Sequence, residues 1–382
     1  MEKKQKKKKG NRGALLLLLP SLLIGALCGI MIVRYADLGG EAGGGALTVL
    51  LLFVSLIVGI YLQTAVHEAG HLVFGLLSGY RFSSYRIGSL MLLRSGDKLR
   101  FCRLSIAGTG GQCLMCPPEP KDGRIPVRLY NLGGALANLF LSAILLVLYF
   151  LTRPSPLATA LLMAAAIGFL FAATNGIPMR AGLIENDGKN AFSLEKNEEA
   201  NRAFYLQLRI NEMTAEGVRL RDMPEEWFTL PENADRENAL IAAIDVFAAN
   251  RLMDMHRFEE AEASIRALLS RGGAIDLHKN LLTCDLICLL LRNGRRAEAA
   301  ALITKQQRSF MRAMKKFPTV IRAEYMLDRF VFKDAAGARL QAERLARIAR
   351  HYPYPADIAS ERELLSVLEQ QGAQAAEGEG TT

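Results

Sequence analysis

Val66-His67-Glu68-Ala69-Gly70-His71-Leu72-Val73-Phe74 is the stretch from which the rest of this chain is read. HExxH on a helix sets two imidazoles at i and i+4, on one face, spaced as two ligands to a single zinc ion. The glutamate between them stands beside the water such an ion holds and can take its proton. Upstream, residues 46–66 contain no charged side chain, and downstream residues 72–77 are apolar again. Ionisable groups inside a bilayer are costly and are kept chiefly for function. The same pentapeptide also arises by chance on soluble helices, where both histidines are simply solvated. This helix is too apolar for that, because something must compensate the desolvation of His67, Glu68 and His71.

The 382 residues fall into two unlike halves. Residues 13–179 are dominated by Leu, Ala, Ile, Val, Gly and Phe, whereas residues 185–382 are rich in Glu, Arg, Lys and Ala. Windows of about 20 apolar residues predict four spans. They lie near residues 14–33, 46–66 (running on into the histidine motif), 129–151 and 157–174. The net charge of +9 does not imply nucleic acid. Much of it comes from Lys3, Lys4, Lys6, Lys7, Lys8, Lys9 and Arg12, directly before the first span, as on a cytoplasmic membrane flank. The loop between spans two and three carries Arg81, Arg86, Arg94, Lys98, Arg100, Arg103, Lys121, Arg124 and Arg128, while the two other turns, residues 37–45 and 152–156, carry Arg153 as their one basic residue. Under the positive-inside rule both termini and this loop are cytoplasmic. The first span is longer than a signal-peptide core and no A-x-A site follows it, so it reads as retained.

Cys28, Cys284 and Cys288 lie on apolar helical faces, where a free cysteine behaves as a small hydrophobe. Cys113-Leu114-Met115-Cys116 is a CxxC with only Cys102 near it, so no four-ligand zinc site is in view. A cytoplasmic loop also argues against a stable disulfide. The pair reads as structural or incidental.

At this point the chain resembles the site-2 protease family of intramembrane zinc metalloproteases, over roughly residues 45–190. Three separated signals carry the resemblance. The first is His67-Glu68-Ala69-Gly70-His71 in a span. The second, Gly133-Gly134-Ala135-Leu136-Ala137-Asn138, is similar to the family's glycine-alanine-asparagine stretch. The third, Asn175-Gly176-Ile177-Pro178 followed by Asp187-Gly188, is similar to its N-x-x-P…DG. The resemblance implies a zinc ion held by His67, His71 and Asp187, with Glu68 as general base. It implies that Asn138 orders the loop or substrate beside the metal. Asn175 either hydrogen-bonds the scissile carbonyl or its oxyanion, or caps the fourth span. The glycines and alanines of the second stretch also suit close helix packing. The spacing from Pro178 to Asp187 is long, and Asn186 stands where the family has Leu. Glu185, two residues from Asp187, is a rival third ligand.

Within the central loop, residues 82–93 and 98–106 are β-rich runs around Ser95-Gly96-Asp97, a hairpin signal. Such strands lie beside the active site in the family, and a strand edge can hold an extended substrate by β-augmentation. From about Glu195 onward the pattern is one of amphipathic helices, near residues 238–253, 257–270, 277–292, 296–313, 319–331 and 335–350. Arg257-Phe258-Glu259-Glu260-Ala261 and Arg295-Arg296-Ala297-Glu298-Ala299 look like one recurring unit, as in a tetratricopeptide-type array.

The expected architecture is an α-helical membrane protein with about four transmembrane helices, a small β-hairpin loop and a C-terminal cytoplasmic helical-hairpin, tetratricopeptide-like domain. Its expected parts are a basic N-terminus (residues 1–13), a membrane-embedded metalloprotease domain (14–190), a helical repeat-like domain (191–370) and a disordered tail (371–382). The expected function is zinc-dependent hydrolysis of peptide bonds in or near a transmembrane segment, or in a membrane-bound peptide, close to the cytoplasmic face. The expected setting is a bacterial plasma membrane, with the lipid bilayer, the substrate and a protein bound to the helical domain as partners. The rival is a catalytically inactive membrane scaffold acting through its repeats, against which the intact Glu68 argues. A soluble-type zincin on a membrane anchor is disfavoured, because the motif lies within an apolar span.

Overall fold

The computed structural model describes residues 42–106, 109–153 and 155–379. The first expected span, the basic start and Cys28 lie outside the described residues. Within them the fold is mostly helical, with a small sheet and three helices long and apolar enough to cross a membrane. These are Val49–Leu77, Arg128–Thr152 and Pro156–Gly176, at the places expected of spans two, three and four.

Contacts divide the chain into two units, and not at residue 190 as the sequence suggested. One unit runs to Ile87 and resumes at Gly110–Glu198; the other comprises Gly88–Thr109 and the chain from Glu199 on. Part of the central loop therefore belongs with the helical C-terminal region. That segment buries Met91, Leu93, Cys102 and Leu104 there, and this burial decides its allegiance.

The first unit is built on helices α1 (Ala42–Leu77), α2 (Arg128–Thr152) and α3 (Pro156–Gly176). Helix α1 ends in a Schellman motif. Gly79 takes φ +85°, its N–H donates to the Leu76 carbonyl and Tyr80 N–H donates to Gly75. Helix α3 starts on Ser155, whose hydroxyl accepts from Ala158 N at 3.1 Å, with Pro156 preset for the first turn. Helices α1 and α2 cross where neither carries a side chain. A Cβ on Gly70 would stand 2.2 Å from the Gly133 carbonyl oxygen, and one on Gly133 would stand 2.6 Å from that of Gly70. Small residues at such a crossing let two backbones touch.

Strands β1 (Arg81–Ile87) and β4 (Gly111–Cys116) pair antiparallel in this unit, from Arg81 opposite Cys116 to Ile87 opposite Gly111. Tyr85 donates its hydroxyl proton to the Ala65 carbonyl at 2.6 Å, fixing β1 to α1. A short hairpin, β5 (Arg180–Ala181) with β6 (Ile184–Glu185), leads into the seven-residue helix α4 (Asp187–Ser193).

In the second unit β2 (Leu90–Ser95) and β3 (Lys98–Arg103) form a hairpin around Gly96, at φ +58°. The central loop thus holds four strands where a single hairpin was expected. Gly88, at φ +58°, breaks the first β-rich run into β1 and β2, and the CxxC segment supplies β4. The helices are α5 (Glu198–Glu216), α6 (Ala239–Asp254), α7 (Phe258–Ser270), α8 (Asp276–Arg292), α9 (Arg296–Ala301), α10 (Lys305–Ala313), α11 (Pro318–Phe330), α12 (Ala335–Ile348) and α13 (Pro355–Glu379). Helix α8 is buried through Leu286, Ile287, Cys288, Leu289, Leu290 and Leu291, so both faces of its second half are core. The expected helix over 296–313 is two, because Thr304 caps α10 by accepting from Gln307 N. The expected disordered tail is helical through Glu379. Gly372 is buried there, and a Cβ on it would come within 2.9 Å of the Phe330 ring.

Candidate metal centre

His67 and His71 lie one turn apart on α1, and Asp187 opens α4. One ligand atom from each falls within 4.8 Å of the others. His67 Nε2 is 3.2 Å from His71 Nε2 and 3.1 Å from Asp187 Oδ2, and His71 Nε2 is 3.4 Å from that oxygen. For metal bonds of about 2.0–2.1 Å in tetrahedral geometry, neighbouring ligand atoms stand about 3.3–3.4 Å apart. The observed triangle has that size.

The proton positions follow from the partners. Nδ1 of His67 lies 2.7 Å from Asn138 Oδ1, and Nδ1 of His71 lies 2.8 Å from the Tyr130 carbonyl oxygen. A carbonyl oxygen only accepts, so each neutral ring carries its proton on Nδ1 and turns a lone pair from Nε2 toward the other two ligands. Three acceptors then converge without a donor among them. A cation resolves this arrangement, and two imidazole nitrogens with one carboxylate oxygen suit a borderline divalent metal.

Asn138 is oriented in turn. Its amide nitrogen donates to the Gln63 backbone carbonyl and to Gln63 Oε1, each at 2.8 Å. Gln63 Nε2 donates to the Ala164 carbonyl at 2.9 Å and lies 3.4 Å from Ser142 Oγ. The amides thus run as a relay from α3, through Gln63 and Asn138, to the His67 ring. There is no slack around it. A Cβ on Gly134 would meet the His67 ring at 2.5 Å, and one on Gly168 would meet Ser142 Oγ at 2.0 Å. Gln63, Asn138 and Ser142 are all buried, and each polar group deep in an apolar bundle needs such a partner.

Asp187 is brought to the histidines by Asn186. The Asn186 side-chain oxygen accepts from Lys189 N and Met179 N at 2.9 Å, and its nitrogen donates to the Thr174 and Ile177 carbonyls at 2.7 Å. One amide therefore caps the start of α4 and ties it to the end of α3. Gly188 permits the contact, since a Cβ there would stand 2.2 Å from the Gly176 carbonyl oxygen. Beyond α4, Glu195 and Glu198 pair with Arg128 and Arg124.

Glu68 is buried between the histidines and β4. It accepts a backbone hydrogen bond from Cys113, and a Cβ on Gly111 would come within 2.6 Å of its Oε1. Burial, and then the Glu68 charge, push the Cys113 thiol up to about 12. Cys113 is not among the side chains whose ligand atoms converge, which are His67, His71 and Asp187.

His67, Glu68, His71 and Asp187 thus meet at one place. Glu185, the rival third ligand, does not join them; its carboxylate accepts from Ser193 Oγ at 3.1 Å. Asn138, expected to order the loop or substrate beside the metal, is fully buried and holds the His67 ring. Asn175 donates to the Phe171 carbonyl of its own helix at 3.0 Å, at the end of α3. Sequence reasoning passed over Gln63 and Asn186. A lone glutamine in an uncharged span and an asparagine just ahead of an acidic first turn were the signals available.

No family model matches the chain, and no curated protein or solved structure is significantly similar to it.

Proposed function

We propose that this chain is an intramembrane zinc metalloprotease, cleaving peptide bonds in or near a transmembrane segment of a membrane protein or membrane-bound peptide. The observation that carries the reading is the convergence of His67 Nε2, His71 Nε2 and Asp187 Oδ2 beside a buried Glu68, at the end of an apolar helix. A zinc ion held by these three would polarise the scissile carbonyl and acidify a water. Glu68 takes the proton of the attacking water and returns it to the leaving amide nitrogen. The Cys113 N–H holds the Glu68 carboxylate in place for both transfers. Strand β4 ends its sheet and passes Glu68, so an extended substrate added to its edge lies alongside the base.

In this reading the active site faces the cytoplasm of a bacterial cell and both termini are cytoplasmic. The helical unit serves as a tetratricopeptide-like domain that recruits a protein partner. The deciding experiment combines metal content with cleavage. Purified wild-type protein should carry one zinc per chain and cut a co-expressed single-span membrane protein. A preparation with no zinc that regains no activity on zinc addition overturns the proposal.

A further inference from the structure

The hairpin of β2 and β3 has two faces, and one is left uncovered among the described residues. Cross-strand pairing places Met91 with Cys102 and Leu93 with Arg100. Met91, Leu93 and Cys102 are buried in a core with Ile321, Leu345 and Tyr352. The pairs Leu90–Arg103, Leu92–Phe101 and Arg94–Leu99 alternate to the other side of the pleat. There Leu90 is 62% exposed, Leu99 60% and Phe101 86%. Phe101 is the most exposed large hydrophobic side chain described, more so than any on the three candidate spans.

Arg94 and Arg103 lie on this face, while Lys98 and Arg100 alternate to the other; the one carboxylate of the hairpin, Asp97, lies 3.8 Å from Arg94. Leucine and phenylalanine interleaved with long cationic side chains suit the boundary between headgroups and acyl chains. The rings and branched chains enter the apolar side, and the guanidinium groups reach back to phosphate. A protein groove would be expected to supply carboxylates to so basic a rim; a bilayer supplies phosphates along its whole surface.

The position of the hairpin in the chain favours the bilayer further. A candidate span ends at Leu77 and the next begins at Arg128, so the hairpin is tethered to the membrane on both sides. Strand β1, which leads to it, has seven residues and a length of about 23 Å. Tethering makes a weak surface contact nearly intramolecular, so few apolar side chains suffice.

We propose that the outward face of the β2–β3 hairpin is a lipid-docking surface for a bilayer containing anionic phospholipid. Leu90, Leu92, Leu99 and Phe101 enter the interface, and Arg94 and Arg103, interleaved with them, pair with its phosphates. Because the opposite face is built into the helical core, docking holds the C-terminal unit against the membrane. This inference does not depend on the metal centre.

The chain has one tryptophan, Trp227, which makes a single-site reporter simple. Full-length protein carrying Trp227→Phe and Phe101→Trp is placed in nanodiscs of phosphatidylcholine alone or mixed with phosphatidylglycerol. A second reporter, Leu99→Trp, covers the case in which the first perturbs folding. In the mixed discs both should emit at shorter wavelength and be quenched at least twofold by lipids brominated near the top of the acyl chain. Quenching should weaken in phosphatidylcholine and fall to the same low level in both disc types when Arg94 and Arg103 are both changed to Gln. Water-like emission without quenching in both disc types overturns the proposal and assigns the face to a protein partner. Equal quenching in the two disc types overturns the anionic recognition.

Discussion

Asn138 Oδ1 lies 2.7 Å from Nδ1 of His67, and that contact determines which nitrogen of the ring faces Asp187. An asparagine that turned its nitrogen to the ring would demand the opposite tautomer and remove a metal ligand. Gln63 prevents the turn, because its two carbonyl oxygens can only accept from the Asn138 amide.

Asn138→Ala should therefore weaken zinc binding by roughly 10–100-fold, the usual cost of losing a group that orients a ligand. Gln63→Leu should move affinity in the same direction by less, because Asn138 keeps its bond to the Gln63 backbone carbonyl. Competition titration against a zinc chelator measures both. Wild-type affinity in both variants would mean that His67 is held by something else.

Glu68→Gln removes the base and leaves the ligands. Cleavage should fall below about 1% of wild type, in line with the 10²–10⁴-fold contribution of a positioned base. Zinc content and thermal stability should stay close to wild type. Residual activity near the wild-type rate would remove Glu68 from the mechanism.

The third ligand is tested by a pair of substitutions. Asp187→Ala should lose both zinc and cleavage, whereas Glu185→Ala gives up a hydrogen bond with Ser193 and should keep most of each. Metal analysis of the two purified proteins reads the difference directly. The reverse pattern would place the ligand at Glu185.

Asp357, on α13, titrates far from its ordinary range. Burial, and then the nearby Glu361 and Asp254, push it up to about 7. Its unfolded value is about 3.9, so the folded form holds the proton more tightly and stability from this site is lost as pH rises from about 4 to 7. Asp357→Asn should raise the melting temperature of the full chain in detergent by a few degrees at pH 8. The gain should vanish near pH 4. A shift of the same size at both pH values would contradict this account.

Orientation has its own test, motivated by the basic residues between α1 and α2. A cysteine at Ser95 should resist an impermeant thiol reagent in intact cells, and one at Gly43 should react. Labelling at Ser95 from outside would invert the topology.

What the sequence made legible was local. The HExxH motif, the apolar windows and most helix positions depend on spacings within one element, and these survived folding. The relay through Gln63 did not show, because it joins three helices through residues 63, 138, 142 and 164, and nothing in the order of the chain relates them. For Asn138 the resemblance implied an ordering role beside the metal without naming its partners, His67 and Gln63. The four strands were hidden for another reason. The run over residues 82–93 is rich in strand-forming residues on both sides of Gly88, so composition alone did not reveal the turn there. Asp187 was found, but the device that places it, the Asn186 cap, stood where a leucine was expected.

The crossing of Gly70 on Gly133 has a bearing on traffic. At that level the two backbones leave no room even for a methyl group, so no third segment passes between α1 and α2. The His67 and His71 side chains keep 10% of their exposure and Asp187 keeps 27%. On the proposed reading, the way to Glu68 is therefore not through the α1–α2 crossing, and that exclusion is set by two side chains that are not there.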